Sequence, residues 1–140
     1  MNELQPGLTL ERTREVTRNE SAQKLGSGTL EVFATPAMAL MIEQACLEMV
    51  EGYLEQDQTT VGIHLELNHL APTPLGDVVR IKAELVKMEK HVFYFEAKVW
   101  DSTELVGEAS HQRALIDTER FLRRVAKKKS DLDLSSSFAG

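Results

Sequence analysis

The 140-residue chain, 42% hydrophobic and 27% charged, has the make-up of one soluble globular domain, long enough to bury a core without disulfide or metal staples. A formal charge of −6 excludes a general nucleic-acid binder, which would carry a basic stripe, but leaves room for one phosphorylated small molecule at a locally basic spot. No charged-then-apolar leader opens the chain, and no run approaches the ~20 apolar residues of a membrane span, so neither secretion nor membrane binding is expected.

Residues 8–17 predict a first strand, despite the charges at its middle. Residues 19–29, with Gly26, Ser27 and Gly28, read as a mobile loop. A helix then starts with Thr35 as N-cap and Pro36 in the first turn, where a missing N–H is harmless, and runs to Tyr53 or Leu54. Its sequence, PAMALMIEQACLEMVEGYL, is apolar nearly all round, as expected of a helix wrapped by protein. Glu43 stands among Met38, Leu40, Met41, Ile42, Ala45, Cys46 and Leu47. A carboxylate buried there is costly unless paired or protonated, and such groups concentrate at reactive sites, so Glu43 is the first catalytic candidate. Cys46 has no partner for an internal disulfide, which suits a reducing cytoplasm; it reads as a small buried hydrophobe or, alternatively, a thiol nucleophile.

The remainder is mostly strand. Residues 61–70 alternate, with Ile63, Leu65 and Leu67 on one face and His64, Glu66 and Asn68 on the other. Residues 78–88 alternate again, 91–100 are aromatic and β-branched, 101–104 form a turn, and 105–116 make a last long strand. The run Pro72-Thr73-Pro74-Leu75-Gly76 interrupts pairing between the second and third strands. A second helix is predicted over 118–128, which closes a single domain at residue 128, and 129–140 is expected to be a disordered tail. One strand, one helix and four antiparallel strands predict an α+β fold in which a curved sheet wraps a central helix. Its open edge favours pairing with a second copy.

His69 shares parity with Ile63, Leu65 and Leu67, so it is either an inert strand-end histidine or an acid/base presented to the helix. His64 and His91 fall on or near outward positions. His111 and Arg113 share the row of Leu105, Ala109 and Leu115, which is unusual for polar side chains. Arg113 is either a carboxylate or helix-end partner or an anchor for an anionic substrate. Thr35 is explained by capping alone, though a hydroxyl at a helix start also lies beside free N–H groups that stabilise oxyanions. Gly62 marks a bulge or a close ligand approach, or simply weakens pairing. No G-x-S-x-G, H-E-x-x-H, C-x-x-C or P-loop motif occurs, and no metal or cofactor is expected.

Three segments in order, EVFATPAMALMIEQAC, VGIHLELNHLAPTPLG and GEASHQRALIDTERF, resemble the hotdog-fold acyl-coenzyme A thioesterases, nearest the fluoroacetyl-coenzyme A thioesterase-like branch. The likeness runs from about Leu30 to Val125. It implies a long helix wrapped by five or six antiparallel strands, a homodimer or dimer of dimers with sites at the interface, and hydrolysis of a small acyl-CoA. By the same resemblance Thr35, Glu43 and His69 form the catalytic set, the Gly62 amide meets the thioester carbonyl, and Arg113 contacts substrate. Thr29 stands where that branch has a lid phenylalanine, and Pro36 where it has glycine, so fluoroacetyl selectivity is not implied. A non-catalytic acyl-CoA binding or regulatory module on the same fold is the alternative. Candidate contacts for the coenzyme phosphates are Lys87, Lys90, Arg123, Arg124 and Lys127 to Lys129.

Overall fold

The apolar helix is α2, Thr35–Glu51, and its buried residues fall at helical spacing: Ala37, Met38, Met41, Ile42, Ala45, Cys46, Met49 and Val50. In the computed structural model, which describes residues 3–139 and the side chains of 3–134, this stripe lies against a five-stranded antiparallel sheet. The strands are β1 (Thr9–Glu15), β2 (Gln58–His69), β3 (Val78–Glu89), β4 (Val92–Trp100) and β5 (Leu105–Asp117), in the spatial order β1-β3-β4-β5-β2. Alternate residues of the inner strands face the helix: Val79, Ile81, Ala83 and Leu85 from β3, and Phe93, Phe95, Ala97 and Val99 from β4. Each of the larger of these side chains, the valines, Ile81, Leu85 and the phenylalanines, contributes about 1.5–3 kcal/mol by its burial.

Gly107 lies close under the helix. A Cβ there would fall on the sulfur and methyl of Met38, so any side chain at 107 requires the end of Met38 to move.

The composition predicts a helix buried all round, but one side of it is exposed. Leu40 is 54% exposed and Gln44, Glu48 and Glu51 face outward, because one five-stranded sheet covers only one side of a cylinder. Glu43 lies on the flank of the buried stripe, with its side chain 46% exposed, rather than in the packed interior. The helix start also differs. Ala34 occupies the N-cap position and makes no side-chain capping bond, Thr35 is the first helical residue, and the Thr35 hydroxyl is left for other use.

The expected loop over 19–29 contains a short helix, α1 (Ala22–Leu25). The Ser21 side chain caps it by accepting from the Lys24 N–H, and Gly26 ends it at φ 78°. After β5, α3 spans Thr118–Ala139, through the stretch expected as a disordered tail. Lys127 and Asp131, and Lys129 and Asp133, stand four apart, a spacing that supports helix where the composition reads as disorder. Gly140, the last residue of the expected tail, lies outside the described residues.

The β2 strand forms one edge of the sheet and pairs only with β5, in a register that slips between Gly62 and His64. That bulge corrects the alternation read from sequence. Ile63 is the extra residue and points out, 51% exposed, instead of sharing the inward row of Leu65 and Leu67. Both Gly62 and Leu65 consequently face the helix side, although their parity differs.

Candidate active site

Two polar clusters sit where α2 meets β2. At the helix start, Thr35 Oγ1 lies 2.7 Å from His69 Nδ1. His69 ends β2, with its ring edge-on to Phe33 at 6.3 Å between centroids, an orienting contact with no signal in the sequence periodicity. Phe33 is itself fixed by burial and by its N–H, which donates to the Thr73 carbonyl at 2.9 Å. Among the described residues, His69 Nε2 is the buried side-chain polar atom with no hydrogen-bond partner. Unpaired buried polar atoms are rare, so this ring nitrogen, beside an exposed threonine hydroxyl, marks the pair as a candidate functional group.

The second cluster forms two turns further along α2. Glu43 Oε2 lies 3.9 Å from Arg113 Nη1, and a Cβ on Gly62 would stand 3.2 Å from the same oxygen and 3.3 Å from the His111 ring. The bulge therefore aims bare backbone at the acid. Arg113 is 6% exposed; its Nε donates to Thr60 Oγ1 at 2.8 Å, its Nη2 to the Thr60 carbonyl at 3.0 Å, and its Nη1 to His111 Nε2 at 3.2 Å. Of the two roles open from sequence, these partners favour a carboxylate partner over a substrate anchor. Parity sets His111 and Arg113 apart in the sequence, whereas nothing in the pattern points to Thr60.

Burial pushes the His69 pKa below the ordinary histidine value, with the Ala71 backbone pulling the other way. Burial likewise lowers that of His111; the His64 backbone opposes the shift and the neighbouring Arg113 adds to it. Both rings are accordingly neutral near pH 7. For Cys46, burial raises the thiol to about 12, with Glu43 adding and Arg113 opposing. It is a protonated core residue, not a nucleophile.

Thr35, Ala39 and Glu43 recur every fourth residue and follow one flank of α2, yet Thr35 and Glu43 are separated by about 12 Å of helix axis. The structure thus brings Thr35 to His69 and Glu43 to Gly62 and Arg113, in two separate groups. Lys87 is engaged with Glu89 at 2.8 Å, whereas Arg123, Arg124 and Lys127 to Lys129 are exposed along α3. Among the described residues no cluster of His, Cys, Asp and Glu could hold a metal ion, and no helix is long and apolar enough to cross a membrane.

The sheet-wrapped helix is the hotdog fold. A hot-dog-like protein from Thermanaerovibrio acidaminovorans superposes with a TM-score of 0.83 at 21% identity, over 88% of this chain and 91% of that one. The family of fluoroacetyl-CoA-specific thioesterases matches residues 16–119. The fluoroacetyl-CoA thioesterase of Streptantibioticus cattleyicolor is 34% identical over 98 residues, 70% of each chain. A solved structure of a point variant of the fluoroacetyl-CoA-specific enzyme, in complex with fluoroacetate and CoA, superposes with a TM-score of 0.80 at 27% identity, over 84% of this chain and 99% of that one. The chain belongs to the fluoroacetyl-CoA-specific thioesterase family and is, on that ground, a thioester hydrolase acting on acyl-CoA.

Proposed function

We propose that the enzyme hydrolyses a small acyl-CoA thioester, with Glu43, His69 and Thr35 as catalytic residues and the Gly62 amide as oxyanion donor. The observation that carries this reading is the approach of Glu43 to the glycine of an edge-strand bulge, leaving backbone and carboxylate on one small space. Water adds to the acyl carbon as Glu43 takes its proton, and the carbonyl oxygen gains negative charge against the Gly62 N–H. The carbon–sulfur bond then breaks, and the proton held by Glu43 passes to the leaving thiolate, giving a carboxylic acid that ionises and free CoA. A neutral His69 supplies a hydrogen bond to the developing charge, and the Thr35 hydroxyl holds its ring.

One protomer holds these groups in two halves, and we propose that a homodimer completes the site. Gly62 and His69 stand seven residues apart on the edge strand, roughly 20 Å along β2. Antiparallel pairing of β2 with a second β2 about their midpoint puts Gly62 of one copy beside His69 of the other, twice per dimer. The same pairing satisfies an edge that is otherwise open to solvent. The free thiol of Cys46 fits work in a reducing cytoplasm.

The fluoroacetyl preference of the relatives is not part of this proposal, because Thr29 and Pro36 replace the residues associated with it. Thiol release from short, branched and aromatic acyl-CoA esters tests the reaction and finds the acyl group. Replacing Glu43→Gln is expected to lower kcat by about 10²–10⁴-fold with little change in KM. Unchanged turnover removes Glu43 from the chemistry, and binding without hydrolysis across the ester series turns the protein into a binding module.

A further inference from the structure

We propose that His111 and Thr60 are positioning residues for the catalytic acid: they fix the Arg113 guanidinium, and Arg113 in turn holds Glu43 in line with Gly62. The proposal rests on the assignment of Glu43 made above. Arg113 is buried, and its Nε and Nη2 are both spent on Thr60, one on the hydroxyl and one on the carbonyl. Nη1 is the nitrogen that approaches the acid, an ion-pair contact at 3.9 Å, and its place is set by His111, whose Nε2 accepts from it at 3.2 Å.

His111 can accept there because its other nitrogen is committed. Nδ1 lies 2.7 Å from the His64 carbonyl, which can only accept, so Nδ1 carries the proton and Nε2 the lone pair. The ring also stacks on Phe95, at 6.2 Å between centroids and 30° between planes. An imidazole pinned by a backbone carbonyl and an aromatic face presents one fixed acceptor to one arginine nitrogen. The charged and titratable groups around it are Arg113 on its own strand, Glu43 from α2 and His64 from β2. A proton on Nε2 would abolish the acceptor and set a second cation against Arg113, so the arrangement works only with a neutral ring.

Steady-state hydrolysis of the best acyl-CoA ester by three variants tests the proposal. His111→Leu keeps the bulk and removes both polar contacts; it is expected to lower kcat about 10- to 100-fold with KM within about twofold of wild type. His111→Gln, which can donate to the His64 carbonyl and accept from Arg113, is expected to restore most of that loss. Thr60→Val, which removes only the acceptor of Arg113 Nε, should lose turnover in the same direction but by less, and it keeps the test decisive if His111→Leu does not fold. Thermal unfolding is followed in parallel. Folded His111→Leu or Thr60→Val with wild-type kcat overturns the proposal, as does a loss of the same size in His111→Leu and His111→Gln. If Glu43→Gln alone leaves turnover unchanged, the assignment of the acid fails first and this proposal falls with it.

Discussion

His69 and His111 are neutral for the same reason, burial, and that has a consequence for stability. In the unfolded chain each ring takes a proton near pH ~6.5. In the folded chain protonation is deferred to lower pH, because burial penalises the charged ring. Between those two values the unfolded state binds more protons, so stability falls as pH falls and is fully present only above the unfolded value. The midpoint of thermal unfolding is expected to drop between about pH 7.5 and about pH 5.5, and to drop less in His111→Gln, which has no ring to titrate. A midpoint flat across that range would contradict neutral burial of the rings. Glu43 differs from both histidines: its sequence neighbours are apolar, yet it lies half-exposed on the helix flank. Sequence periodicity identified the residue but not its depth, since the side of a helix that a sheet leaves uncovered is decided by the number of strands.

At the scale of elements, the end of Met38 fills the space that a side chain at Gly107 would take. Gly107→Ala would place a methyl on the Met38 thioether inside the core, and the resulting overpacking is expected to cost about 1–3 kcal/mol in urea unfolding. Wild-type stability in that variant would mean that Met38 repacks freely. The later strands and the central helix, in their chain order, are legible because the period-2 pattern is clean over 78–85 and 92–100 and the period-3.6 pattern over 36–50. Three local features are not. Thr35 and Pro36 read as cap and first residue, but the helix starts one residue earlier, which frees the hydroxyl for His69. The helix α1 had its signals, Ser21 before and Gly26 after, yet four residues are too few for periodicity to register. The bulge at Gly62 breaks the rule by which parity assigns faces, so the inward row containing Ile63 was misread at that one residue.

At the scale of the whole molecule, the two polar clusters lie along one edge strand, one holding Thr35 and His69 and the other Glu43, Gly62 and Arg113. In the proposed dimer, symmetry about that edge would supply what each lacks, since an isologous interface places every group twice. This central claim is tested most directly by subunit complementation. Differently tagged Glu43→Gln and His69→Ala chains, each inactive as a homodimer, are co-expressed and the mixed dimer is purified and assayed for thiol release. If Glu43 of one copy serves His69 of the other, one site of the mixed dimer carries both lesions and the other neither, so about half of wild-type turnover returns. If each protomer carries its own complete site, every site in the mixed dimer is defective, and the absence of any recovery would contradict the account.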